Sequence, residues 1–248
     1  MPNAVPRVQL FATCLVDQFY PAVAEAAVRL LERLGVAVEV PLDLTCCGQP
    51  AYNGGFHAAA RAMARHTLDV LSRSDAPVVV PSGSCADMVV HRYPELMADE
   101  PGYAEKAREV AARTYELSQF LVDVLGVTDV GASGRGTAAY HSSCHTQRGL
   151  GVRAQPLSLL AAVGGLEFRR LPETEACCGF GGLFAVKMGD ISGAVLGRKL
   201  ADIEASGADI VVGSDVSCLM HIGGGLHRRG SRVRVLHLAE VLAPAVKP

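Results

Sequence analysis

Eight cysteines, arranged in two sets with nearly equal spacing, constrain this chain more than any other feature. The two sets are Cys14, Cys46, Cys47 and Cys85, and then Cys144, Cys177, Cys178 and Cys218. Successive gaps are 32, 1 and 38 residues in the first set and 33, 1 and 40 in the second. All eight cysteines of the chain belong to these sets, so the spacing indicates an internal duplication.

The sequence around the cysteines repeats as well. Residues 30–48 (LLERLGVAVEVPLDLTCCG) align with residues 159–179 (LLAAVGGLEFRRLPETEACCG). Residues 78–89 (VVVPSGSCADMV) align with residues 210–222 (IVVGSDVSCLMHI) with one residue of slippage. Two such matches in independent sequence are improbable, and we interpret the chain as two copies of one unit.

Short runs rich in β-branched residues predict three buried parallel strands in each copy. These predicted strands are residues 8–11, 36–40, 77–80, 137–141, 166–171 and 209–212. Apolar residues at three- and four-residue spacing predict helices between them, at 20–34, 55–72, 154–163 and 191–206. Alternation of strand and helix predicts an α/β fold of two tandem homologous repeats, each a mostly parallel sheet flanked by helices.

The repeats suggest a division of the chain into three parts. We expect a first repeat at residues 1–100 and a second at residues 137–248. Between them, residues 101–136 are expected to form a connecting helix at about 103–125 and a Gly/Ser linker at 131–136. The halves should pack together, because a small unit with a cysteine-lined edge gains from covering that edge.

Composition and charge exclude several classes of protein. Lys and Arg number 23 against 25 Asp and Glu, which gives a net charge of −2 and no basic excess for a nucleic-acid partner. The amino terminus lacks the pattern of a secretion signal, and no apolar run is long enough for a transmembrane segment. We therefore expect a cytoplasmic protein, whose thiols are kept reduced and are not paired as disulfides.

Each cysteine follows a predicted strand. Because the carboxyl ends of parallel strands lie along one edge of a sheet, the cysteines are expected at these strand ends and should converge there, four in each repeat. Four thiols in a reducing compartment indicate a soft metal: zinc, copper(I) or an iron–sulfur cluster.

The adjacent cysteine pair in each set favours a cluster over a single zinc ion. Structural zinc sites usually take two sulfurs from a C-x₂₋₄-C loop, whereas adjacent residues of an extended backbone point in opposite directions. Such a pair suits a larger group with several irons. Gly48 and Gly179, which follow the pairs, would let the backbone turn sharply beside that group.

The segments CCGQPAYNGGF, PSGSCADMV, SCHTQRGLG and CCGFGGLFAVKM resemble the cysteine-rich CCG-domain family. That family includes iron–sulfur subunits of heterodisulfide reductase, of glycolate oxidase and of lactate-utilisation systems, and the last group is the most similar. The resemblance implies an oxidoreductase subunit that relays electrons from oxidation of a small 2-hydroxy acid, L-lactate. It also implies partner subunits, namely a second iron–sulfur protein and a third subunit of the same system, and a small-molecule substrate.

One departure from the family pattern bears on the cofactor. Where heterodisulfide reductase subunits have the first cysteine of a Cys-x-x-Cys motif, this chain has Ser82 and Asp215. Four cysteines per copy are the usual ligands of a [4Fe–4S] cluster, so we expect one or two such clusters per chain rather than the non-cubane type. Ser82 and Asp215 could bind iron through oxygen, but we favour contact with the sulfur ligands.

Histidines also flank the second set, at His141, His145 and His221. A histidine near a metal site can bind the metal or donate a hydrogen bond to sulfur, and we select His145, next to Cys144, as a candidate for hydrogen bonding. Two other functions stay open: a thiol–disulfide reductase subunit of the heterodisulfide type, and a zinc-binding scaffold with no catalytic role.

Overall fold

The structure, a computed structural model, describes residues 7–243. The outer ends of the two predicted repeats, and the start of the amino terminus where no secretion signal is expected, lie outside the described residues. Within residues 7–243, eight strands form two four-stranded sheets. The strands are β1 (Arg7–Leu10), β2 (Ala37–Glu39), β3 (Val78–Val80), β4 (Thr114–Glu116), β5 (Ser133–His141), β6 (Gly164–Arg169), β7 (Ile210–Gly213) and β8 (Arg234–His237).

The two sheets have the same topology. Their strand orders are β2-β1-β3-β4 and β6-β5-β7-β8, and every neighbouring pair is parallel. At the centre of each sheet, Leu10 lies opposite Val79 and Tyr140 lies opposite Val212. The predicted fold class, two tandem α/β repeats with parallel sheets, is confirmed.

Helices cover both sheets. In the first half they are α1 (Cys14–Phe19), α2 (Pro21–Arg33), α3 (Gln49–Asn53), α4 (His57–Leu71), α5 (Gly83–Asp87), α6 (Tyr93–Leu96), α7 (Tyr103–Ala112) and α8 (Leu117–Gln119). In the second half they are α9 (Ala154–Ala161), α10 (Leu183–Lys187), α11 (Gly189–Ala205), α12 (Val216–Arg228) and α13 (Leu238–Leu242). Single turns of wider π-helix occupy Met88–Arg92, Phe120–Val124 and His145–Gly149.

The prediction of a single connecting helix at 103–125 is wrong. Helix α7 ends at Ala112, and β4 follows it as the edge strand of the first sheet. The Arg113 carbonyl accepts a hydrogen bond from the Val78 N–H at 2.8 Å, and Tyr115 pairs with Val79. Pairing with the sheet therefore overrides the helical spacing of the apolar residues. The expected Gly/Ser linker is shorter than predicted, because β5 begins at Ser133.

The two halves pack together, as expected, and share a hydrophobic core. Its buried residues include Leu30 and Leu31 of α2 together with Leu238 and Leu242 of α13. The guanidinium of Arg33 in α2 donates hydrogen bonds to the carbonyls of Val130 and Leu242, at 3.0 and 2.9 Å, and so also links the two halves. Residues 7–243 contain no helix that is both long enough and apolar enough to cross a membrane.

Candidate metal centres

The first cysteine set lies at the carboxyl ends of β1, β2 and β3. Cys14 is the first residue of α1, and Cys85 lies in α5 directly after β3. Cys46 and Cys47 lie in the loop after β2, immediately before α3. The parallel sheet therefore brings together residues that are up to 71 positions apart in sequence (85 − 14).

The four sulfurs of the first set form a continuous group. The Sγ atoms of Cys47 and Cys85 are 3.3 Å apart. The thiols of Cys14 and Cys47 both lie close enough to the Cys46 thiol to shift its pKa. A chain of contacts thus runs Cys14–Cys46–Cys47–Cys85, which we call the first quartet.

The second set repeats this arrangement. Cys144 follows β5, and Cys218 lies in the first turn of α12 after β7. Cys177 contacts both Cys144 and Cys178, and Cys178 contacts Cys218. These four cysteines form the second quartet. In each quartet the last two cysteines are buried, while the first two are more accessible and Cys177 is exposed.

Crowding of the thiols shifts their pKa values in opposite directions. Hydrogen bonds from Cys14 and Cys47 lower the pKa of Cys46 to about 2, and hydrogen bonds from Cys144 and Cys178 do the same for Cys177. The same contacts raise the pKa of Cys14 and of Cys144. One thiolate therefore opposes ionisation of its neighbours, and a cationic metal group would remove this opposition by binding all four as thiolates.

Glycine after each cysteine pair fixes the backbone around the sulfurs. Gly48 and Gly179 have φ angles of 84° and 86°, in the left-handed region that glycine adopts without steric cost. In this conformation the Gly48 N–H donates to Cys46 Sγ at 3.4 Å, and the Gly179 N–H donates to Cys177 Sγ at 3.3 Å. Backbone N–H groups directed at sulfur are a means by which proteins stabilise iron–sulfur clusters.

A cavity of about 290 Å³ contacts all four cysteines of the first quartet. Its opposite wall comes from the second repeat and is largely apolar, with Phe180, Leu183 and Val186 among its residues. Four sulfur donors, N–H groups directed at sulfur and open space beside them fit a polynuclear iron–sulfur cluster. That the quartets bind such a cluster stays a prediction.

Asp215 and Ser82 both occupy the N-cap position of a helix that begins near a quartet, but only Asp215 caps its helix through the side chain. One carboxylate oxygen of Asp215 accepts the Ser217 N–H of its own helix at 3.1 Å, and the other accepts the Ser84 N–H of α5 at 2.7 Å. The Ser82 hydroxyl lies 3.3 Å from the Ser84 hydroxyl. Both Asp215 oxygens are thus engaged by protein groups, which favours our interpretation that Asp215 does not bind iron.

His145 connects the two repeats. Its Nδ1 lies 2.7 Å from Asp87, which also contacts Nδ1 of His91 at 2.8 Å. The hydrogen bond with Asp87 raises the pKa of His145. Sequence reasoning missed Asp87, because no local motif marks it and its partner His145 lies 58 residues away. A role of His145 toward sulfur stays a prediction.

His141, at the end of β5, lies against the second quartet. One of its ring nitrogens and the sulfurs of Cys178 and Cys218 all lie within 4.8 Å of one another. The side chain is buried, and burial lowers its pKa to about 4, so the imidazole is neutral at neutral pH. His145 follows Cys144 in sequence, but its Nδ1 contacts Asp87, whereas His141 lies beside the buried sulfurs.

The sequence model of the family described as "Cysteine-rich domain" (CCG) matches residues 8–89 and 138–223. Curated relatives are named "Lactate utilization protein A". The one from Exiguobacterium sp. is 48% identical over 244 residues and covers 98% of this chain and 99% of its own. Those from Halalkalibacterium halodurans and Geobacillus kaustophilus are each 50% identical over 236 residues, covering 95% of this chain and 96% and 98% of theirs.

Among solved structures, a hypothetical protein from Helicobacter pylori has a similar fold, with a TM-score of 0.66 and 13% identity. The match covers 99% of this chain and 50% of that one, so this chain spans about half its length. The matches to the family model include both quartets with their Cys-Cys-Gly segments. The chain therefore belongs to the cysteine-rich CCG-domain family.

Proposed function

We propose that this chain is the iron–sulfur subunit of an oxidoreductase system that oxidises a small 2-hydroxy acid, L-lactate. Its own role is to relay electrons through a [4Fe–4S] cluster in each quartet. The observation that carries the proposal is the convergence of two complete cysteine quartets at equivalent sheet edges. The name of the curated relatives supports lactate as the substrate.

The bound clusters would supply one-electron storage and transfer. The eight cysteines would hold them, and the N–H groups of Gly48 and Gly179 would stabilise negative charge on the sulfurs. The buried Tyr93 hydroxyl donates to the Cys47 carbonyl at 2.9 Å and so fixes the backbone of the first pair. The buried cysteines of each quartet would keep water from one side of the cluster. The more accessible cysteines would leave a short path for electron transfer to a partner.

The proposal includes partner subunits, a second iron–sulfur protein and a third subunit, and a cytoplasmic location. Apolar side chains beside the first quartet support contact with another protein. Val186, which lines the cavity next to the quartet, is 80% exposed, and Met188 and Ile191 nearby are more than half exposed. Exposed apolar residues grouped in this way are typical of interaction surfaces.

Deletion of the gene for this chain tests the proposal, in a host without a second copy. Oxidation of L-lactate by cell extracts should be lost and should return with the wild-type gene, but not with C47S or C178S, each of which breaks one quartet. Growth on glucose is the control and should be unchanged. Undiminished lactate oxidation in the deletion strain would contradict the proposed function.

A further inference from the structure

The two repeats differ at a buried position three residues before their first cysteine. Phe11 and His141 each lie three residues before the first cysteine of their set. Phe11 packs in the same buried cluster as Cys47 and Cys85. His141 lies against Cys178 and Cys218, the equivalent pair. One quartet is thus bordered by an apolar ring and the other by an imidazole.

His141 has unused hydrogen-bonding capacity. Its side chain is 1% exposed, and within residues 7–243 neither ring nitrogen has a hydrogen-bond partner. An unpaired buried donor costs free energy, and nearly all buried polar groups in native proteins have partners. An imidazole kept at this position without a partner therefore indicates a partner that binds beside it.

The sulfurs of Cys178 and Cys218 are the groups placed to receive this hydrogen bond. Both lie within 4.8 Å of a ring nitrogen without a hydrogen bond to it, so a small side-chain shift when a metal group binds would form one. The second quartet already supplies four thiolates, the full ligand set of a [4Fe–4S] cluster. Iron does not need His141 as a ligand, which leaves its N–H free to donate.

We propose that His141 is a positioning residue that donates a hydrogen bond to the sulfur ligands of the second cluster. This inference rests on the proposed function. An N–H directed at a sulfur ligand stabilises the more negative, reduced state of the cluster and raises its reduction potential. Phe11 offers no such donor, so this hydrogen bond raises the reduction potential of the second cluster and not that of the first.

The test is a redox titration of anaerobically purified protein, followed by electron paramagnetic resonance. In the wild type, two clusters should titrate at separate potentials. H141L should lower the potential of one cluster by about 60 mV, which corresponds to a tenfold change in the one-electron reduction equilibrium. H141Q keeps an N–H donor and should retain most of the wild-type potential. F11L, the matched variant in the first repeat, should not change the potential that H141L lowers.

Iron and sulfide analysis of each variant distinguishes the possible failures. A wild-type chain without clusters would overturn the proposed function, and the role of His141 with it. Full cluster content in H141L with unchanged potentials would overturn the role of His141 alone. Labelling histidine with ¹⁵N gives a second measurement on the wild type: weak coupling to the cluster spin supports hydrogen bonding, whereas strong coupling would show direct ligation and overturn it.

Discussion

The carboxylate of Asp215, in the second repeat, accepts a hydrogen bond at 2.7 Å from the backbone N–H of Ser84 in the first. The same carboxylate caps its own helix α12 through Ser217. Ser84 and Ser217 each directly precede the last cysteine of their quartet. One side chain therefore ties together the two helices that carry Cys85 and Cys218, and the quartets belong to a single folded unit.

Replacing Asp215 with alanine should destabilise the protein. The change leaves the N–H groups of Ser84 and Ser217 without their acceptor, at an expected cost of about 2–3 kcal/mol in the free energy of unfolding. D215N retains one acceptor oxygen and should lose less. Urea denaturation of the three proteins measures this order of stability. Iron content should be the same in all three; iron lost from folded D215N would instead indicate that the carboxylate binds the metal.

Replacing Gly179 with alanine should destabilise the protein more than the same change at Gly35, which has a similar left-handed φ but free space around it. A Cβ at Gly179 would lie 2.7 Å from the Ser192 carbonyl oxygen, in addition to the cost of its left-handed φ. Gly35 has a φ of 79° and nothing within 4 Å of such a Cβ. G35A should therefore cost about 1–2 kcal/mol, the backbone term alone.

G179A should lower the free energy of unfolding clearly more than G35A. It should also reduce iron binding, because Gly179 directly follows the second cysteine pair. Thermal unfolding and iron analysis of the two purified variants give the comparison. Equal losses of stability in G35A and G179A, with iron content unchanged in both, would show that the close approach of Gly179 to Ser192 has no energetic consequence.

Glu116 should make stability fall as pH rises. This carboxyl is fully buried at the end of β4, and burial raises its pKa from the ordinary 4.5 to about 7, against hydrogen bonds from Ser118 that lower it. Since the folded pKa exceeds the unfolded one, the favourable contribution is complete below pH 4.5 and is lost as pH rises through 7. Across this pH range the contribution of Glu116 to the free energy of unfolding should fall by about 3 kcal/mol.

The variant E116Q isolates this effect, because its amide oxygen can still accept the Ser118 N–H while the titrating proton is removed. Free energies of unfolding from urea curves at pH 5 and pH 8 should fall more steeply for the wild type than for E116Q. Parallel pH dependence in both proteins would mean that Glu116 titrates normally.

Much of the site follows from the sequence because the cysteine pattern and the parallel sheet are locally encoded. Buried β-branched runs predict β1, β3 and β7, and parallel strands bring their carboxyl ends to one edge. The edge strands β4 and β8 are short and partly polar, so hydrophobic patterning does not reveal them. These two strands form because they pair with the backbone N–H and C=O groups on the free edges of β3 and β7.

Contacts between the repeats could not be predicted in the same way. The hydrogen bond from Ser84 to Asp215 and the contact of Asp87 with His145 join residues far apart in sequence. They depend on how the two halves pack over their shared core, which no spacing within either copy specifies. The position of His141 against Cys178 and Cys218 likewise depends on the register of β5 with β7.

Iron and acid-labile sulfide, measured per chain after purification under strict exclusion of oxygen, test the central claim most directly. Two [4Fe–4S] clusters predict about eight iron atoms and about eight sulfides, with broad visible absorption. The double variants C46S/C47S and C177S/C178S should each retain half of this content. A colourless wild-type protein that holds zinc, or one that binds no metal at all, would contradict the account.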